Sequence, residues 1–369
     1  MGDKMSERPF FSVIIPCYNS KPERIKELLD TVVNGGCPKE TEIVISDDRS
    51  TDKTFLDTVK EYEDKFFEIT ITEVPDKNED GTELIHCPGN TRQNGVNVAK
   101  GEWVTFIDHD DIFGDDAFKI VKDGIRKSGE QHYVCSNIIQ LDPKTGEEIK
   151  EIHAFNWMHG KFYNLDNFWN KYGIKFKTNL FGNEDITVSA KVNCIINKLN
   201  KGKVDDPLNI PTFWIEEFIY IWRSWEDSTS NISYNDKNYM EVYFHDYIDG
   251  VLGTYIDDYN ELKEKGELEE FDIKFHKMMQ TDLILYMYFY IQSFKFNHIN
   301  DLDPNIECKA KTHIKNYYKR FDTTSIDLYE YIDNFYEERG RWYNDILINA
   351  KRAVGPFIEV DSFFDFISK

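Results

Sequence analysis

The chain has 369 residues, 40% of them hydrophobic and 15% aromatic, and its 44 basic against 67 acidic side chains leave a net charge of −23. This length and apolar content support a large core and exclude a disordered chain, while the excess of acid argues against a general electrostatic footprint for duplex nucleic acid. The six cysteines show no paired spacing, which fits reduced, mostly buried thiols better than a disulfide framework or a zinc site. The longest apolar run, residues 283–291, is about half of the ~20 residues that span a bilayer, and residues 1–10 carry no apolar signal core. A soluble, cytoplasmic protein is the expectation.

Residues 11–16 (FSVIIP) form the short, β-branched run of a buried parallel strand, which Pro16 is expected to end. Ile25, Leu28, Leu29, Val32 and Val33 then recur with helical spacing as far as Gly35 and Gly36, predicting a helix. Residues 42–46 (EIVIS) predict a second buried strand, followed by Asp47 and Asp48 and by a helix to about residue 64. Residues 68–74 alternate as a third strand and residues 90–100 predict a short helix. Trp103, Val104, Phe106 and Ile107 then make a central strand that delivers Asp108, His109, Asp110 and Asp111 at its carboxyl end.

Further along, the pattern predicts a helix at about 115–127, a hairpin from residues 133–141 and about 148–155, and a helix opening at Glu184. Residues 213–225 suggest a strand pair or a strand plus loop, and beyond about 235 the texture becomes helical. Alternating strands and helices predict an α/β fold, a mostly parallel sheet flanked by helices, with a mainly helical region after it. The boundary is expected near 230, giving domains of residues 1–230 and 231–369. Parallel sheets of this kind bind ligands at the carboxyl ends of their strands, where both acidic clusters fall.

Like charges crowded at the end of a buried strand are costly without a cation or hydrogen-bond donors. Carboxylate oxygens select Mg²⁺ or Mn²⁺, which commonly share their coordination with substrate phosphates, so residues 108–111 suggest a metal-diphosphate site. The plainer alternative is a solvated turn. Asp47 and Asp48, after the neighbouring strand, could accept hydrogen bonds from a nucleobase imide or ribose hydroxyls, or the stretch could simply cap a helix through Ser50 or Asp52. Trp214, Trp222 and Trp225 suit either sugar stacking or a core, and Lys198, Lys201 and Lys203 suggest a solvated basic face.

Four segments, SVIIPCYN (12–19), EIVISDDRSTDKT (42–54), NTRQNGVNVAKGEWVTFIDHDD (90–111) and GNEDITVSAKV (182–192), together resemble family 2 glycosyltransferases of the GT-A fold, over roughly residues 10–230. The resemblance implies a Rossmann-like GT-A domain, a UDP-sugar donor and Mn²⁺ or Mg²⁺. It places Pro16 and Tyr18 beside the nucleotide, Asp48 on the base, Arg92 near base and diphosphate, and Asp108 and Asp110 toward ribose and sugar. Asp111, together with Asp110, is implied as metal ligand, Asp185 in the Glu184-Asp185 pair as general base, and Arg223 with Ser228, Thr229 and Ser230 as a loop over the diphosphate. The helix dipole also favours carboxylates at a helix start, which is the plainer account of Asp185. His245 could add to the metal shell but is more simply structural.

The expected activity is metal-dependent, inverting transfer of a sugar from a UDP-sugar to a hydroxyl of a glycan or polyol-type acceptor. One alternative keeps the fold and glycosylates a hydroxymethylated DNA base, which the net charge opposes. Another is an inactive nucleotide-sugar-binding scaffold, with the helical region serving homo-oligomerisation.

Overall fold

The computed structural model describes residues 7–130, 132–152, 157–180, 182–201, 213–227, 246–280 and 283. The chain divides into two compact units, one of residues 1–192 and 208–231, the other of residues 193–207 and 232–369.

The first unit is built on a nine-stranded sheet. Its strands are β1 (Phe11–Cys17), β2 (Thr41–Asp47), β3 (Glu68–Glu73), β4 (Trp103–Phe106), β5 (Ile112–Phe113), β6 (Tyr133–Leu141), β7 (Glu148–Ile152), β8 (Lys161–Asn164) and β9 (Phe213–Arg223). They lie in the order β3-β2-β1-β4-β8-β6-β9-β5, with β7 paired to β6. Strands β3, β2, β1 and β4 run parallel, β8 joins β4 antiparallel, and β9 runs parallel to β6 but antiparallel to β5. Every residue of β1 and β2 is buried, which accounts for the apolar stretches Val13–Ile15 and Ile43–Ile45 at their centres.

Helices α1 (Pro22–Asn34), α2 (Phe55–Lys60), α3 (Pro88–Val98), α4 (Ala117–Ser128) and α5 (Glu184–Leu199) complete the α/β order. Pro22 and Pro88 open their helices at positions where a missing N–H costs nothing. The core gathers Val13, Ile15, Ile43 and Ile45 from the sheet with Leu28 and Leu29 from α1 and Phe118 from α4. Phe11 holds edge-on contacts with Phe118 at 5.2 Å and Phe162 at 5.7 Å. At Gly95 an added Cβ would sit 2.5 Å from Ile14 Cγ2, so α3 lies against β1 at a distance only glycine permits.

Several elements differ from expectation. Pro16 lies inside β1, paired with Ser46, because the ladder to β4 ends at Ile14 and Phe106 and leaves no β4 partner for a proline nitrogen. The helix expected at 90–100 is α3, two residues earlier, and α2 stops at Lys60. Residues 213–223 are one strand followed by a loop, the second of the two expected forms, and β5 and β8 are further short strands. Ser50 does not cap a helix; it donates to Asp47.

In the second unit the described elements are the end of α5, a wide turn at Asp246–Leu252, α6 (Gly253–Lys265) and a helix at residues 270–280. Asn193 Nδ2 donates to the Tyr255 hydroxyl at 3.2 Å, and Lys198 Nζ to Asp272 Oδ2 at 2.8 Å. Asp272 is buried, so Lys198 is a structural tie rather than part of a solvated face. Most of the expected oligomerisation region, including nearly all of the apolar run at 283–291, lies outside the described residues. No helix among the described residues is long and apolar enough to cross a membrane.

Candidate active site

Because β2 and β4 flank β1 in parallel, their carboxyl ends bring Asp48 and the 108–111 segment to one edge of the sheet. Asp48 Oδ1 accepts from Arg49 Nη2 at 3.0 Å and lies 3.2 Å from His86 Nδ1. The His86 ring lies 5.3 Å from that of Tyr18, which is 50% exposed. Asp47 is held by the Ser50 hydroxyl and backbone N–H.

Arg92, on α3, is buried and joins two carboxylates: Nη2 donates to Asp108 Oδ1 at 2.5 Å and Nη1 donates to Glu184 Oε1. Burial alone would raise the Asp108 carboxyl, but Arg92 and His159 outweigh it and hold Asp108 well below the usual carboxylate range. Burial pushes Glu184 up to about 7, against the pull of Arg92 and with a further push from the neighbouring Asp185. Asp185, half-buried in the first turn of α5, imposes its charge on Arg92, His159, Lys161 and Tyr163. The resemblance implies Arg92 near base and diphosphate; its guanidinium bonds Asp108 and Glu184.

Asp111 is buried, with Oδ2 accepting from the Tyr220 hydroxyl at 2.5 Å and Oδ1 from the Arg223 N–H at 2.7 Å. The Tyr220 oxygen in turn accepts from the Asp108 N–H at 3.4 Å. Burial first, then the charges of Asp110 and Asp108, raise the Asp111 carboxyl well above its ordinary range. Asp110 points elsewhere, its Oδ2 lying 3.7 Å from Arg24 Nη1 while its carbonyl accepts from Arg223 Nε at 2.6 Å and Trp225 Nε1 at 3.0 Å. Arg24 stacks on the Trp225 ring at 4.0 Å, Arg223 Nη1 donates to Glu27, and Arg223 Nη2 is buried without a hydrogen-bond partner among the described residues. Of the other two tryptophans, Trp214 donates to Asn137 Oδ1 at 2.8 Å and Trp222 packs edge-on against Trp157 at 5.8 Å.

Asp108, Asp111 and His159 each offer a ligand atom, and the three atoms lie within 4.8 Å of one another. Two carboxylate oxygens and an imidazole suit a divalent cation, and the neutralising charge is what the raised Asp111 carboxyl lacks. The residues therefore fit the implied metal, with His159 in place of Asp110 beside Asp111. His159, Tyr220, Arg24 and His86 are the members that sequence reasoning missed. His159 precedes a four-residue strand and Tyr220 lies on β9, so neither had a local signal. Ser228, Thr229, Ser230 and His245 lie outside the described residues. A cavity of about 320 Å³ between α3 and residues 165–175, lined by Gln93, Asn97, Trp169 and Lys175 among others, includes none of these carboxylates.

Comparison with known proteins gives the context for this edge. A stretch of 107 residues is 39% identical to a poly(ribitol-phosphate) β-glucosyltransferase of Bacillus spizizenii, covering 29% of this chain and 16% of that protein. A stretch of 110 residues is 37% identical to the Staphylococcus aureus poly(ribitol-phosphate) β-N-acetylglucosaminyltransferase TarS, covering 30% of this chain and 18% of TarS. The matched stretch thus spans less than a fifth of either relative. The crystal structure of S. aureus TarS 1–349 in complex with UDP-GlcNAc superposes with a TM-score of 0.57 at 17% identity, over 93% of this chain and 90% of that one, which establishes a shared fold. Residues 12–188 match the profile described as glycosyl transferase family 2. That segment, just under half of the chain, is similar to glycosyl transferase family 2, and the chain shares the fold of TarS 1–349.

Proposed function

We propose that this chain transfers a sugar from a UDP-sugar to a hydroxyl of a polyol-phosphate polymer or related glycan, with inversion at the anomeric carbon and with a divalent cation bound. The observation that carries this is the convergence, on one sheet edge, of the Arg92-linked Asp108 and Glu184 with Asp111, His159 and the first turn of α5. The two relatives named for poly(ribitol-phosphate) transfer support the acceptor class, and the TarS complex supports UDP as the donor nucleotide.

In this reading Tyr18 and Pro16 flank the base and Asp48 accepts from the uracil imide. Asp108, Asp111 and His159 would hold the cation, which when bound offsets the charge growing on the departing diphosphate. Arg223 Nη2, without a hydrogen-bond partner among the described residues, donates to that diphosphate. Asp185 takes the proton from the acceptor hydroxyl as it attacks from the face opposite the leaving group, so a single displacement inverts the centre. Arg92 positions Asp108 and Glu184 and neutralises them beside the base. Glu184, buried behind Asp185 and bonded to Arg92, is placed to support the base rather than to replace it.

The test is sugar transfer from UDP-glucose and UDP-GlcNAc onto poly(ribitol phosphate), with Mn²⁺ and then with EDTA. Transfer that needs the cation and gives the β-anomer from an α-linked donor supports the reading. Turnover undiminished by EDTA removes the metal, and the absence of transfer to any polyol phosphate removes the acceptor.

A further inference from the structure

A second cluster of potential ligands lies in the helical unit, independent of the glycosyl-transfer reading. Cys194 on α5, Asp258 on α6 and His276 on the 270–280 helix bring a sulfur, a carboxylate oxygen and an imidazole nitrogen within 4.8 Å of one another. His276 Nε2 lies 3.3 Å from Asp258 Oδ2. The histidine is 1% exposed and its Nδ1 has no hydrogen-bond partner among the described residues. Tyr255, Tyr259 and Phe275 pack edge-on around the ring, with centroids 5.4 to 6.3 Å away.

We propose that Cys194, Asp258 and His276 form a zinc-type metal site that ties α5, α6 and the 270–280 helix together. The donor set decides the class of ion: thiolate and imidazole suit Zn²⁺ and its borderline neighbours, whereas Mg²⁺ and Ca²⁺ take oxygen. Ligand atoms about 2.0–2.3 Å from a tetrahedral ion stand roughly 3.3–3.8 Å apart, so the Asp258–His276 pair already has the spacing and the sulfur needs only a small approach. Cys194 gives up its thiol proton to solvent on binding. Asp258, with its side chain 13% exposed, is the donor nearest water and marks the path of entry and the open fourth position. The three donors are far apart in sequence, so no ligand-spacing motif announces them.

Cobalt titration of the chelator-treated full-length chain tests this. The expected result is a thiolate-to-cobalt charge-transfer band that saturates at about one ion per chain, is displaced by Zn²⁺ and is unaffected by excess Mg²⁺. Asp108, Asp111 and His159 contain no thiolate, so Asp111→Asn should keep the band while Cys194→Ser loses it. His276→Gln and Asp258→Asn should each weaken cobalt binding by about tenfold or more. Zn²⁺ should raise the melting temperature of the wild-type chain. Circular dichroism checks that the variants fold. Absence of the band in the wild-type chain overturns the proposal whatever the variants do, as does a band that survives in folded Cys194→Ser.

Discussion

Arg92 links Asp108, 16 residues away in sequence, to Glu184, 92 residues away, through one buried guanidinium. Two carboxylates from different segments thus depend on a single cation. Arg92→Ala leaves buried Glu184 unpaired and Asp108 with His159 alone, and a loss of about 3–5 kcal/mol in urea unfolding is expected. Arg92→Lys keeps the charge but not the two-pronged geometry, so it should fall between the two in stability and bind UDP more weakly than wild type.

Asp185→Asn removes the proton acceptor while leaving the Arg92 bonds to Asp108 and Glu184 in place. UDP binding, followed by calorimetry, should be retained, and the turnover of sugar transfer should fall by about 10²- to 10⁴-fold. Loss of UDP binding along with turnover would assign Asp185 to the donor rather than to the base.

Tyr220→Phe deletes the donor to Asp111 Oδ2 and the acceptor for the Asp108 N–H, and leaves both carboxylates in place. A drop of about 10- to 100-fold in Mn²⁺ affinity is expected, as for other supports of a ligand. Manganese titration monitored by paramagnetic resonance reads it.

Proton competition sets the pH dependence. Asp111 is raised well above its ordinary range and Glu184 to about 7, both chiefly by burial, so each retains a proton at pH values where an exposed carboxyl is ionised. A cation displaces the Asp111 proton, so Mn²⁺-dependent UDP binding should tighten as pH rises. Asp111→Asn should flatten most of that dependence.

Gly95→Ala sets a methyl against Ile14 where α3 crosses β1. Overpacking of about 1–3 kcal/mol is expected from thermal unfolding, together with weaker UDP binding, because α3 is the element that carries Arg92.

The parts of the fold that could be read from the sequence were those with continuous local patterns. β1, β2 and β4 are largely apolar runs, β2 and β4 lead into aspartates, and their parallel pairing placed Asp48 and Asp108 on one edge. β5 and β8, two and four residues long, are too short to show a period. Their pairing with β9 and β4 is set by strands distant in sequence. For the same reason His159 and Tyr220 were not visible as partners of Asp108 and Asp111. Lys198 suggested solvent because charged residues usually face it, and only tertiary structure supplies the buried Asp272 that accepts from it.

The two groups that hold Asp111, the Tyr220 hydroxyl and the Arg223 N–H, both belong to β9, which docks beside β6 and β5 more than a hundred residues after Asp111 has been made. A nascent chain emerging from the ribosome therefore carries its acidic edge unfinished until that last strand slots in. A fragment that stops at the end of the matched family segment would keep the aspartates and lose their clasp.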